Sequence, residues 1–94
     1  MRVRYTPRAL ADLEAIDRYL HERNPRAAQE VIATIRRRIE HLAEWPRQAP
    51  TTNEPDIHVL FVGRYPYKVF YEVEKETVVI HHVRHAARRP WLGR

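Results

Sequence analysis

The stretch from Tyr65 to His85 constrains the fold of this 94-residue chain more than any other. Tyrosine and valine alternate with mostly polar residues from Tyr67 to Glu74, which is the period of two that a β-strand requires. A short polar run then interrupts the pattern. β-branched residues, which suit a pleated surface, fill four of the six positions from Val78 to Val83. The sequence therefore predicts a β-hairpin with strands at 65–74 and 77–85.

The two faces of this hairpin have different compositions. A tight turn predicts three cross-strand pairs: Val73 with Val78, Tyr71 with Ile80, and Val69 with His82. One face, expected to face the core, is then apolar: Tyr67, Val69, Tyr71, Val73, Val78 and Ile80. The other face mixes apolar and charged side chains: Lys68, Phe70, Glu72, Val79, His81, Val83 and His85. A basic segment follows this mixed face directly, so we expect the two together to form the binding surface.

Two helices are predicted before the hairpin. Each begins with an N-cap residue and a proline at the first helical position, Thr6-Pro7 and Asn24-Pro25. Apolar residues recur at helical spacing after both starts: Leu10, Leu13, Ile16, Tyr19 and Leu20, then Ala28, Val31, Ile32, Ile35, Ile39 and Leu42. The opposite side of the first helix carries Asp12, Glu14, Asp17 and Arg18. We expect helices ending at Arg23 and near Trp45, packed as an antiparallel hairpin.

Two further strands are indicated at 2–5 and 57–62. The resulting order is strand, helix, helix, strand, strand, strand. It predicts a single α+β domain over residues 1–94, in which the N-terminal strand and the antiparallel helical hairpin pack on an antiparallel three- to four-stranded sheet. The first strand is expected at an edge of that sheet.

Composition limits the chemistry that this chain can perform. It has no cysteine, which excludes disulfides and thiolate zinc sites. No metal or cofactor is predicted, since adjacent residues of one strand point to opposite faces and His81 and His82 therefore cannot chelate one ion. No apolar run approaches the roughly 20 residues of a membrane span, and the N-terminus lacks a signal-peptide core, so a cytoplasmic protein is expected.

The positive charge is concentrated at the C-terminal end. The net charge is +5, and no acidic residue follows Glu76, whereas Arg84, Arg88, Arg89 and Arg94 all do. Such an end favours a nucleic-acid or acidic protein partner. A solvated tail that only keeps the protein soluble is the alternative.

Five short motifs occur in order along nearly the whole chain. They are Ala9-x-x-Asp12-Leu13-x-x-Ile16, Asn24-Pro25-x-Ala27, Leu42-x-x-Trp45-Pro46, Pro66-Tyr67-Lys68-Val69-Phe70-Tyr71-x-Val73 and Val83-Arg84-His85-x-x-Arg88. Their order and spacing resemble the RelE/ParE superfamily of bacterial toxins, the toxin halves of type II toxin–antitoxin (plasmid stabilisation) pairs. The resemblance implies a ParD-like antitoxin in a hetero-oligomer, with an acidic C-terminal segment bound as a helix in a groove or as a strand on a sheet edge.

The resemblance leaves two functional branches open. RelE-like members cleave messenger RNA in the ribosome, which requires proton-transfer groups and cations on the phosphate. In that branch the catalytic residues here would be Lys68, Arg84 and His85. ParE-like members have no established nuclease chemistry, and the best-known ones inhibit DNA gyrase.

The residues after the last strand favour the ParE-like branch. Ala86 and Ala87 stand where a ribonuclease of the family can carry a His-Tyr pair. We therefore expect a toxin that is not an enzyme and that inhibits by binding, with DNA gyrase as the target. The alternative is a ribosome-dependent endoribonuclease, and a third possibility is a degenerate toxin or plain binding module.

The residues predicted to bind the target or the antitoxin are cationic or aromatic, or are histidines. They are Arg64, Lys68, Phe70, His81, Arg84, His85, Arg88, Arg89 and Trp91. Phe70 would stack on a base or anchor a partner chain. Its alternative role is a small second core beneath the C-terminal segment. For His85, the alternative to acid–base chemistry is a local hydrogen bond at the strand end.

Overall fold

The computed structural model describes residues 1–87, which form helices and strands in the predicted order. The elements are β1 (Arg2–Tyr5), α1 (Pro7–Arg23), α2 (Pro25–His41), β2 (His58–Phe61), β3 (Tyr67–Glu74) and β4 (Thr77–His85). The four strands form one sheet in the order β1-β4-β3-β2. This arrangement confirms the predicted α+β class. Across residues 1–87, neither helix is long and apolar enough to cross a membrane.

The helix starts follow the predicted capping residues. The Thr6 hydroxyl accepts the Ala9 N–H at 3.0 Å, and the Asn24 side chain accepts the Ala27 N–H at 3.1 Å. Extended backbone at Asn24 ends α1 and starts α2 at the same residue. Helix α2 ends at His41, before the predicted Trp45, because the next amides bond to carbonyls three residues back and the helix tightens into turns.

The helices cover one face of the sheet and form the core with it. The buried side chains of this core are Ala9, Leu13, Val31, Ile35, Ile39, Leu42, Ala49, Leu60, Val62, Tyr67, Val69, Tyr71, Val78, Ile80 and Val83. The predicted α1 stripe was too wide, since Leu10 is 45% exposed and Tyr19 is 55% exposed. Helix α1 packs instead through Ala9 and Leu13, with Ile16 and Leu20 partly buried.

Strand β1 lies at a sheet edge, as predicted, and pairs in parallel with β4. Val3 lies opposite Val78 and Tyr5 opposite Ile80. The other three strands form the predicted antiparallel meander, so the complete sheet is mixed. β1 pairs with the first half of β4, up to Ile80. The outer edge of β4 beyond Ile80 is not paired with β1.

The β3–β4 hairpin contains one irregularity that changes its faces. The predicted pairs of Val73 with Val78 and of Tyr71 with Ile80 are confirmed. The predicted pair of Val69 with His82 is wrong, since Val69 lies opposite Val83. The register shifts because His81 is an extra residue of β4, a β-bulge.

The bulge reverses the alternation of side chains in the rest of β4. Because the side-chain period of a strand is two, one extra residue moves every later side chain to the opposite face. Val83 therefore joins the core cluster, and His85 pairs with Tyr67 on the core side. Arg84, not Val83 or His85, shares the outer face with Lys68. The predicted positions of Val83 and His85 on the mixed face are wrong for this reason.

Candidate binding surface

Lys68 and Arg84 lie directly opposite each other on the sheet face that does not carry the core cluster. They are paired residues of β3 and β4, and both are partly exposed. Opposed residues of antiparallel strands have Cβ atoms roughly 4.5–5.5 Å apart, and like charges at such positions destabilise the sheet. Two cations carried by directly opposed residues can be reached by the same carboxylate or phosphate group of a partner.

Arg64 lies at the same end of the sheet, in the exposed turn between β2 and β3. Its guanidinium carbon stands 5.6 Å from the centre of the Tyr65 ring. Gly63 precedes it with φ of 91°, a conformation that favours glycine. We refer to Arg64, Lys68 and Arg84 together as the basic end. The predicted binding residues Arg88, Arg89 and Trp91 lie outside the described residues.

Phe70 occupies the predicted face but does not expose its ring. It is only 4% exposed, and the neighbouring Val79 on β4 is 1% exposed. The Lys68 ammonium lies 5.8 Å from the centre of the Phe70 ring. The expectation of an exposed aromatic anchor is therefore wrong, since burial leaves no free ring face in this arrangement. Phe70 instead acts as packing beneath Lys68.

His85 makes local contacts at the end of β4. Its Nδ1 accepts the Ala87 N–H at 3.1 Å, and its ring meets the Tyr67 ring edge-on at a centroid distance of 5.4 Å. A nitrogen that accepts a hydrogen bond carries no proton, so the neutral ring is protonated at Nε2. The bulge places His85 on the face opposite Lys68 and Arg84. The three residues that would be catalytic in the RelE-like branch, Lys68, Arg84 and His85, are thus neighbours on β3 and β4 but lie on two different faces of the sheet.

Each histidine of the His81-His82 pair contacts a carboxylate. His81 Nε2 donates to Glu72 Oε1 at 2.6 Å, and both side chains are about a quarter exposed. His82 reaches helix α1, where its Nδ1 donates to Asp12 Oδ2 at 2.8 Å. Within residues 1–87, no group of three or more histidine, cysteine or acidic side chains is arranged to hold a metal ion.

The contact between Asp12 and β4 was not found from the sequence, which suggested a solvated Asp12. Asp12 Oδ2 also accepts the Val83 N–H at 3.0 Å, and Arg8 Nε lies 3.4 Å from Asp12 Oδ1. His82 is 4% exposed. Burial lowers the pKa of His82, because the charged ring loses its solvation, and the hydrogen bond and charge of Asp12 oppose this shift. The only local signal was the Ala9-to-Ile16 motif that contains Asp12.

Comparison with known proteins gives a consistent picture. A family model described as the ParE toxin of type II toxin–antitoxin system, parDE, matches residues 3–90. Toxin RelE2 of Caulobacter vibrioides is 36% identical over 84 residues, which are 89% of this chain and 93% of that protein. Toxin RelE3 of the same organism is 35% identical over 85 residues, covering 88% and 91%. The putative toxin Y4kP of Sinorhizobium fredii is 31% identical over 79 residues, covering 84% and 82%.

Two solved structures share the fold. The chromosomal ParDE toxin–antitoxin system from P. aeruginosa aligns with a TM-score of 0.81 and 22% identity, covering 90% of this chain and 95% of that chain. The isolated E. coli RelE toxin aligns with a TM-score of 0.70 and 18% identity, covering 94% and 86%. At this identity the likeness concerns the fold alone, and it extends to structures carrying both toxin names.

Proposed function

Because this chain belongs to the ParE toxin family of type II toxin–antitoxin systems, we propose that it arrests growth by binding its target, with DNA gyrase as the expected target. A cognate antitoxin neutralises it. The position of His85 supports inhibition by binding rather than by cleavage. The bulge turns this ring away from Lys68 and Arg84, and its Nδ1 is already bonded to the Ala87 N–H.

The basic end supplies the chemistry for binding. Lys68 and Arg84 present two adjacent cations on one face, and Arg64 adds a third at the same end of the sheet. An acidic antitoxin segment would pair its carboxylates with these cations and cover them. Charge complementarity of this kind also speeds the encounter of the two chains and weakens with salt.

A second candidate function is supported by the names of the relatives. Two of them are called toxin RelE2 and toxin RelE3, so a RelE-like endoribonuclease fits the sequence comparison equally well. Lys68 and Arg84 would then hold the scissile phosphate, and His85 would transfer a proton through Nε2. That mechanism requires His85 to reach a substrate bound on the other face of the sheet.

Induction of the chain alone distinguishes the two candidates. Cells would be sampled over minutes, and DNA and protein synthesis would be followed separately by pulse labelling. Binding to gyrase predicts double-strand breaks and an SOS response while translation continues. A stop in translation before any DNA damage would overturn the gyrase proposal in favour of the endoribonuclease. An unchanged growth rate would contradict both and leave a plain binding module.

A purified assay completes the test. The chain should inhibit supercoiling by gyrase in vitro, and addition of the antitoxin should restore the supercoiling. The matched control is a preparation of the chain with Arg84→Ala. Full supercoiling activity at every concentration of the unmodified chain would remove gyrase as the target, whatever the effect on growth.

A further inference from the structure

We propose that Asp12 is a positioning residue, which holds the end of β4 from helix α1 so that Arg84 stays beside Lys68. This inference rests on the proposed function only where it treats these two cations as part of the binding surface. The structural part stands on the contacts between α1 and β4, and the two parts are tested separately.

The second half of β4 lacks a strand on its outer edge within the described chain. Parallel pairing with β1 stops at the pair of Tyr5 with Ile80. Beyond that point the start of α1 takes the place of the missing strand. The Thr6 N–H donates to the Ile80 carbonyl at 3.1 Å, and the Thr6 hydroxyl donates to the His81 carbonyl at 3.3 Å. The bulge is thus capped by the residue that also caps the helix.

Asp12 continues this capping one step further along β4. One carboxylate oxygen, Oδ2, accepts both the Val83 N–H at 3.0 Å and His82 Nδ1 at 2.8 Å. Its side chain is 18% exposed, and that of His82 is 5% exposed. A polar group that loses its partner in such a place is destabilised, because water does not readily replace the lost hydrogen bond. Removing the carboxylate takes an acceptor from two adjacent residues of β4 at once.

The position of Arg84 depends on these two residues because it follows them directly. The bulge at His81 decides which face the next side chains occupy, and the hydrogen bonds of His82 and Val83 hold the strand in the bulged register. With Asp12 in place, Arg84 is held opposite Lys68. Without it, residues 82–83 lose their hydrogen bonds to α1, and the side chain of Arg84 is less well fixed.

The first experiment measures amide hydrogen exchange by NMR on the full chain. Asp12→Ala should speed exchange at Val83 by about tenfold or more, because its amide loses its acceptor. The amide of Val79, in the half of β4 between β1 and β3, should change less. Asp17→Ala, at an exposed position of the same helix, is the matched control and should leave both amides unchanged. Equal acceleration at Val79 and Val83 would mean a general loss of stability and would overturn the positioning role.

The second experiment measures growth inhibition as inducer is increased. Asp12→Ala should raise the inducer level for half-maximal inhibition as much as Arg84→Ala does. The double variant should be no weaker than Arg84→Ala alone, because two residues that act through one contact are not additive. Asp12→Asn keeps an oxygen that can accept both hydrogen bonds and should retain most of the inhibition. Additive losses from Asp12→Ala and Arg84→Ala would refute the coupling.

Further controls cover two other results. If Asp12→Ala fails to fold, Asp12→Glu can replace it, because this change only moves the carboxylate by one methylene. The growth inhibition by Asp12→Glu should fall as amide exchange at Val83 becomes faster. Inhibition that stays unchanged while that exchange rises would overturn the proposal. If Arg84→Ala retains full inhibition, the basic end is not the functional surface. The exchange experiment still decides whether Asp12 positions β4.

Discussion

Neutralising Arg84 should make the protein more stable and less toxic at the same time. Arg84 and Lys68 are opposed cations on adjacent strands. A pair of like charges in this position weakens the sheet. A partner that neutralises both charges, as proposed above, would remove that cost on binding. Arg84→Gln removes one charge while keeping a long polar side chain.

The magnitude follows from the contacts of each cation. Removing the repulsion between the two like charges is worth about 0.2–1 kcal/mol, so Arg84→Gln should raise the free energy of unfolding by that amount. This corresponds to a rise in Tm of about 1–8 °C for a domain of this size. Lys68→Gln gains the same relief but loses the contact of its ammonium with the Phe70 ring, at 5.8 Å, which is worth about 0.5–1 kcal/mol. Its net effect should be close to zero.

The assay combines urea unfolding of the purified variants with growth inhibition in cells. A charge-assisted hydrogen bond to a partner is worth about 1.5–3 kcal/mol, so each variant should need at least about tenfold more toxin for the same inhibition. Arg18→Gln is the matched control. It lowers the net charge from +5 to +4 in the same way, but Arg18 is exposed on α1 and makes only a 3.9 Å ion pair with Glu14. Its toxicity should not change, and its stability should fall by at most about 0.5 kcal/mol.

The opposite combination of results would refute this reasoning. If Arg84→Gln lowers the free energy of unfolding by more than about 0.5 kcal/mol and leaves growth inhibition unchanged, Arg84 stabilises the fold and does not bind a partner. A similar loss of toxicity in the Arg18→Gln control would show that net charge matters and that the position of the charge does not.

Two further predictions concern buried side chains. Tyr71→Phe removes the hydroxyl that donates to the Pro46 carbonyl at 2.8 Å, and it should lower the free energy of unfolding, measured with urea, by about 1–2 kcal/mol. Tyr19→Phe, at an exposed position, is the control and should have almost no effect. Equal losses in the two variants would contradict the role of this hydrogen bond. Burial lowers the pKa of His82 below its ordinary 6.5, so the unfolded chain binds a proton more readily and stability should be lost as pH falls below about 6.5. His82→Gln should flatten this dependence between pH 7.5 and 5, whereas the exposed His41→Gln should not, and an unchanged slope in His82→Gln would assign the pH effect to other groups.

Much of the fold could be predicted because its signals are local. The N-cap and proline pairs at Thr6 and Asn24 mark both helix starts, and the structure begins the helices at the next residue. Alternation and β-branching locate the strands of the hairpin within two residues. These signals are reliable because capping and strand alternation depend on neighbours a few positions away, and the sequence shows those neighbours directly.

The candidate surface could be predicted only in part. The sequence predicts Lys68 and Arg84 as binding residues but does not predict that they lie opposite each other. It also predicts an exposed Phe70, which is buried in the structure. Both differences come from contacts made at a distance. Burial of Phe70 depends on what lies over that face, and the position of Arg84 depends on a single extra residue in β4.

The sequence by itself determined the order and type of the elements, the apolar side of the hairpin near its turn, and the resemblance to a toxin family. Only the tertiary structure decided that β1 pairs in parallel with β4, that His81 forms a bulge, and that Asp12 caps the strand beyond it. The physical reason is that a strand alternates with a period of two, so one unpaired residue reverses every side chain after it. The contacts that hold such a residue come from α1, about 70 positions earlier in the chain.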